Sequence, residues 1–222
     1  MQKMTLTNIT APEYRSLLLK NYGDDSRITD RFKVVGDLEL ENFCFKQNKT
    51  LVEIDGNLEI GNTAIKTFTN LRSVSGTLGA EASYIQDLPK LEYVGFWLFL
   101  NKSHISSMPM LKKVGNDCYL TNTTIQSLPA LEEVLGEMFL ENSQLNGLPS
   151  LRFVKEGLDA KQSQMHTFPA LEAVEGYFNL SNHDIVNLPM LKQVGGELYY
   201  NEDSQKIVAP NLTSVNGKPF IE

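Results

Sequence analysis

Residues 128–154 read LPALEEVLGEMFLENSQLNGLPSLRFV, and LPALEEV (128–134) comes back twenty residues later as LPSLRFV (148–154). A fixed period of this length is the mark of a repeat architecture. Working outward, the leucine of LxxV recurs at Leu51, Leu71, Leu91, Leu111, Leu131, Leu151, Leu171 and Leu191 without a gap, and again at Leu212 after one extra residue. The Val or Ile three places on recurs with it, from Ile54 to Val215, and a degenerate earlier unit, VVGDLELEN (34–42), keeps the same phase. The unit is L-x-x-V-x-G-x-L-x-L-x-N-[T/S]-x-I-x-x-L-P-x.

Within the unit, LxL has a period of two, so both leucines face one side of a short strand. One unit cannot bury its apolar face alone; stacked units form a continuous parallel sheet with the LxxV and LP residues walled behind it. Nine turns at a strand spacing of about 4.8 Å predict a sheet roughly 40 Å long. Twenty residues leave no room for a full helix on the return path, so extended or 3₁₀ segments are expected there. The proline of LP, as at Pro89, Pro109 and Pro129, sets φ where no ladder hydrogen bond is needed. The glycine column (Gly36, Gly56, Gly76, Gly136, Gly176, Gly196, Gly217) predicts an unusual turn before each strand. The Ser/Thr column is expected to bond backbone groups of the adjacent turn.

The stretch LxLxN[T/S]xIxxLPxL resembles the leucine-rich repeat. The family signature LxxLxLxxNxL is matched by both strand leucines and by the Ile, while its Asn/Cys position holds Thr63, Ser83, Ser103, Thr123, Ser143, Ser163 or His183. The repeat length and LP dipeptide are similar to bacterial short repeats, and the VxG before the strand to receptor L-domain repeats. The resemblance covers residues 34–217. It implies a leucine-rich-repeat solenoid with a parallel β-sheet on one face and a general binding role, with no particular partner.

The second position of the unit reads Arg72, Glu92, Lys112, Glu132, Arg152, Glu172, Lys192, with alternating sign. This predicts a ladder of ion pairs across turns, each contributing about 0–1 kcal/mol and opposing a slip of register. Residues 1–33 are expected to form an N-terminal cap with a short helix at about 10–22 (TAPEYRSLLLKNY), Thr10 as N-cap and Glu13 completing a capping box. Residues 34–200 carry the repeats, and 201–222 an irregular last unit and C-terminal cap.

The 222 residues are 41% hydrophobic, enough for a core. The net charge of -7 argues against direct binding to nucleic acid or anionic membranes. No apolar run is long enough to span a bilayer. The N-terminus lacks the segments of a cleavable signal, so a cytoplasmic location is expected, with secretion by another route or delivery into a host cell left open. Cys44 and Cys118 make neither a disulfide framework nor a metal site. The sequons at Asn8, Asn48, Asn101, Asn122 and Asn211 are read as chance in an Asn/Ser/Thr-rich repeat.

No catalytic motif is present. His104, His166 and His183 occupy three different columns, so repetition does not bring them together. The expectation is a non-enzymatic protein with no cofactor. The open face of the sheet is more informative. Its three outward columns carry ten carboxylates and one lysine, Lys161, a net charge of -9. Trp97, the sole tryptophan, stands beside Phe99, Tyr119 and Phe139 on consecutive turns, with Tyr177 and Tyr199 further along. Stacking accounts for one aromatic column, but not for Trp97 in the next column or for the segregated charge. The face is read as an interaction patch for a basic, partly apolar protein, whose own site it would mask or inhibit. Trp97, Phe99, Tyr119, Phe139, Tyr177 and Tyr199 are the candidate anchors. Asp37, Glu39, Glu41, Glu59, Glu81, Asp117, Glu137 and Glu141 are the candidate steering charges. A monomer is expected. The alternatives are a structural or surface protein assembling through its ends, and a carbohydrate binder stacking sugars on the aromatics.

Overall fold

The computed structural model describes residues 6–21, 28–40, 43, 45–181, 185–200 and 206–219, of which 185 and 219 by backbone alone. The chain is a parallel β-solenoid of about nine turns. Each turn places its LxL stretch in a nine-stranded parallel sheet running from Leu38–Glu39 to Leu198–Tyr199. Register between neighbours is one repeat, so Leu98 lies opposite Cys118 and Phe99 opposite Tyr119. The inward positions of a turn close the core: Leu111, Val114, Cys118, Leu120, Ile125 and Leu128 are all fully buried. Stacking the same positions in every turn makes this one continuous apolar column.

Of the two expected forms of the return path, extended or 3₁₀, the extended one occurs, and it is organised further into a sheet. The residue before the Val of LxxV pairs with its equivalents to form a second parallel sheet of twelve strands, beginning at Leu6–Thr10 and Arg31–Val35 and ending in an antiparallel return at Lys218–Pro219. A third side is stitched by single bridges such as Thr67 to Asp87 and Ser127 to Gly147. Among the described residues no 3₁₀ helix occurs. The physical reason is register: a return segment of fixed length puts its backbone beside the same segment of the next turn, and N–H and C=O groups that face each other pair.

The glycine column also has a different explanation. Among the described glycines, positive φ occurs only at Gly36, Gly56 and Gly217. At Gly176 and Gly196 of this column it is the neighbouring turn's backbone that passes too close for a side chain: a Cβ on Gly176 would lie 1.3 Å from the Glu156 carbonyl oxygen. The left-handed corner falls instead on the Asn column, at Asn62, Ala82, Lys102, Asn122, Asn142 and Gln162, with φ between 47 and 57°. Asn tolerates this region better than most residues. The hydroxyls of Thr63, Ser83, Thr123 and Ser163 serve their own corner rather than the adjacent turn, while those of Ser103 and Ser143 are buried without a partner among the described residues. Thr63 and Thr123 donate to the carbonyls of Ile60 and Leu120, three residues back.

Among the described residues there is one helix, α1, which spans Ala11–Lys20, shorter than the expected 10–22. Thr10 donates its N–H (2.9 Å) and hydroxyl (2.7 Å) to the Glu13 carboxylate, which holds that carboxyl below its usual range. Tyr14 and Leu18 are fully buried. The Tyr14 hydroxyl lies 2.7 Å from Thr50 Oγ1 and accepts from Asn48 Nδ2 at 2.8 Å, tying the helix to the first turns. Asn48 is itself fully buried, so its sequon is closed in the folded chain.

On the wall sheet, Glu172 sits between Lys192 (2.8 Å) and Arg152 (2.6 Å), and their hydrogen bonds hold its carboxyl below the usual range. Lys112 approaches Glu92 at 3.8 Å. The other rungs of the ladder are not within ion-pair distance, and Arg72, at its N-terminal end, has no side-chain partner among the described residues. Lys113 and Glu133, one position on, add a rung at 2.8 Å. Among the described residues no helix is long and apolar enough to cross a membrane.

Candidate functional site

The register of the nine-stranded sheet sets the geometry of its outward aromatics. Strands one repeat apart hold equivalent side chains at about 4.8 Å, which is also a stacking distance. The Phe99 and Tyr119 rings are 4.9 Å apart and 22° from parallel, and Tyr119 and Phe139 are 4.8 Å apart at 12°. Trp97 leans on this stack with its ring 5.8 Å from Phe99. The structure therefore brings Trp97, Phe99, Tyr119 and Phe139 into one cluster. Tyr177 and Tyr199 form a separate pair, 6.4 Å apart and T-shaped. Tyr177 lies over Gly157, where an added Cβ would be 2.3 Å from its ring. At the other end of the stack Glu59 folds over Gly79 in the same way. Two glycines thus mark the limits of the aromatic run and accept a neighbour's side chain.

Sequence reasoning missed Phe96. It occupies the glycine position of its unit, is 43% exposed, and packs 4.4 Å from Trp97, which is itself 36% exposed. The only signal for it was a bulky residue where most units keep Gly. His104 is exposed and stacks on Tyr84 at 5.4 Å with Nδ1 3.1 Å from the Ser83 carbonyl.

The carboxylates divide by whether a backbone group holds them. Asp37 Oδ1 accepts the Asn57 N–H (2.8 Å) and Asp117 Oδ1 the Glu137 N–H (2.8 Å), each one turn on. Glu59 accepts from Gly61 N–H at 2.8 Å. Glu81 accepts from the Asn101 amide at 3.3 Å. Among the described residues Glu39, Glu137 and Glu141 make no rung of this kind: Glu39 is exposed, Glu137 and Glu141 half-buried. Asp37 and Glu39 belong to the first turn, three turns from Phe99, or about 14 Å along the stack, and so lie outside the aromatic cluster. Glu41 falls outside the described residues.

Asp117 is central. Its second oxygen accepts the Tyr119 hydroxyl at 3.1 Å. Partial burial, this bond and the charges of Asp117, Glu137 and Glu81 push the Tyr119 phenol up to about 12. Burial and the charges of Glu137, Asp159 and Asp117 push Tyr177 up to about 12 as well. Glu137 is raised by burial first, then by Asp117, Glu156 and Asp159. All these shifts oppose further negative charge, as expected where carboxylates share a half-buried surface with no cation between them. Cys118, free and fully buried beneath this point, has its thiol pushed up to about 12 chiefly by burial, which removes its nucleophilic form. Among the described residues no three His, Cys, Asp or Glu groups converge as a metal site.

No protein-family model, curated protein or solved structure matches this chain.

Proposed function

We propose that the protein is a non-enzymatic interaction module of the leucine-rich-repeat type, which binds a basic, partly apolar protein partner through the outward side of its nine-stranded sheet. The observation that carries this reading is the coincidence at one place of a cluster of five aromatic side chains and uncompensated carboxylates. Phe99, Tyr119 and Phe139 are locked in stack by register, so contact with them costs little side-chain entropy. Asp117, Glu137 and Glu81 set a negative potential around them, which favours Arg or Lys of a partner and speeds encounter. Arg suits the site best, since its guanidinium pairs with carboxylates and stacks on rings. The family reading is supported by the way LxLxN supplies a strand and a left-handed corner in each turn, with α1 as the cap of the first turns. Masking of a partner's basic site follows from the same chemistry.

Trp97, the chain's sole tryptophan, is a built-in reporter. Titration with an arginine-rich peptide that contains Leu but no Trp should change its emission saturably, more weakly at high salt. Phe99→Ala with Tyr119→Ala should abolish the change while the unfolding midpoint stays close to that of the unmodified chain. An unchanged titration in this double variant would exclude the face as the site.

A further inference from the structure

The geometry points to a second binding site, on the opposite sheet, for a small dianionic ligand bearing a phosphate or a pair of carboxylates. It lies where the alternating charge ladder of the wall runs out. Among the described residues the ladder's ion pairs are Glu92–Lys112, Arg152–Glu172 and Glu172–Lys192, and of its cations only Arg72 has none. Arg72 is its first cation. The equivalent position one turn earlier is Val52, not an acid, and Arg72 makes no ion pair with Glu92 on the other side. Its guanidinium is left without a protein acceptor among the described residues.

Arg72 opens instead into a concave site of about 300 Å³ that also takes in Arg31 and Lys90. Arg31 has no side-chain partner among the described residues either, and its Nε is sealed from solvent without an acceptor. A buried donor in that condition is costly, and native structures rarely leave one unexplained. Arg31 lines the cavity, and an oxyanion held there would be the acceptor that its guanidinium lacks. Lys90 is fixed by a 2.7 Å bond to the Asn70 side-chain carbonyl, whose amide is in turn held by the Lys49 carbonyl at 2.8 Å. One ammonium is thus pre-positioned. The single acid of the cavity, Glu53, is approached by Lys33 at 3.8 Å from outside it. Three cations against one acid leave a surplus of two positive charges, in a chain whose net charge is -7. Leu6 and Val52 supply an apolar wall, so the ligand has an apolar part beside its charge. Two guanidiniums and an ammonium around one cavity match a dianion whose oxygens accept in pairs.

The test is a titration of the full chain, followed by backbone NMR shifts, with inorganic phosphate, phenyl phosphate and succinate as probes. Saturable binding of at least one probe, with shifts confined to the first four turns, is expected. Phenyl phosphate should bind more tightly than inorganic phosphate because of the apolar wall. Tighter binding of succinate than of both phosphates would make the natural ligand a dicarboxylate. Arg72→Gln should weaken binding about tenfold or more, as loss of a charge-assisted bond requires. Arg72 is exposed, so this variant keeps its fold and carries the test even if Arg31→Gln is destabilising. Phe99→Ala with Tyr119→Ala should leave the titration unchanged, which separates this site from the aromatic face. Absence of saturation by all three probes up to about 10 mM, or undiminished binding in Arg72→Gln, overturns the assignment.

Discussion

Gly115→Ala and Gly147→Ala make the same chemical change at two points of the solenoid, and the structure assigns them different outcomes. Neither glycine has positive φ, so only space distinguishes them. A Cβ on Gly115 falls 2.0 Å from the Gly95 carbonyl oxygen and 2.7 Å from its carbon. Both atoms are backbone, so relief requires the two turns to part by about 1 Å out of a spacing of about 4.8 Å. They are joined there by Gly115 N–H to the Val94 carbonyl (2.9 Å) and Asn116 N–H to the Phe96 carbonyl (3.1 Å). Opening these costs about 1 kcal/mol each, and overpacking adds about 1–3 kcal/mol. The restricted unfolded chain returns about 0.4–1 kcal/mol. The net expectation is a loss of about 2–4 kcal/mol. A Cβ on Gly147 meets only the Ser127 hydroxyl, at 3.2 Å, and that group can rotate. This variant should stay within about 0.5 kcal/mol of the unmodified chain. Urea unfolding followed by far-UV circular dichroism measures both, and amide exchange in the turns on either side of Gly115 locates the damage. If the two variants differ by less than about 1 kcal/mol, contact between turns is not what the glycines serve.

Tyr119 and Tyr177 should ionise late, with midpoints near 12, in a near-UV absorbance titration. Because folding raises these values, the stabilisation they carry is whole below the ordinary value of about 10 and is lost as pH rises through the folded one. Asp117→Asn should bring Tyr119 down, and an unchanged curve in that variant would refute the carboxylate's role. Lys102→Asn and Gln162→Asn place a left-handed-tolerant residue at corners with φ of 57 and 55°. Each should stabilise by about 0.5–1 kcal/mol, read as a shift of the urea midpoint; no shift in either would show that these corners carry no backbone strain.

The inward half of the molecule was legible because burial and stacking act on the same positions in every turn. Leu58, Leu78 and Leu98, like Val74, Val94 and Val114, have to be apolar wherever the turn is closed, so the period writes itself into the sequence. The second sheet was not legible. Its strands are two residues long in most turns, as at Tyr93–Val94, too short for alternation to mark them. What creates them is the constancy of the return length, which shows as a period and not as a strand pattern. The left-handed corner was hidden for a related reason: Ala82, Lys102 and Gln162 occupy it despite their chemistry, because neighbouring turns impose the conformation. On the outer face the three-ring stack followed from spacing alone, whereas Phe96 joined the cluster from a column reserved for glycine.

The carboxylates of the face pose a sharper question, since some have structural work that could account for them. Asp37 and Asp117 each accept the N–H that opens the equivalent position of the next turn. Asn57, in the same column, accepts the Thr77 N–H at 2.7 Å through its side-chain carbonyl. An amide therefore performs the structural task as well as an acid does, without bringing charge beside its neighbours. At Asp117 that charge opposes ionisation of Glu137, Tyr119, Tyr177 and Cys118. The solenoid needs an acceptor at this position, and has one available that is neutral. What the acid adds over an amide is a second acceptor: Asp117 Oδ2 takes the Tyr119 hydroxyl at 3.1 Å, which ties the carboxylate to the rim of the aromatic stack.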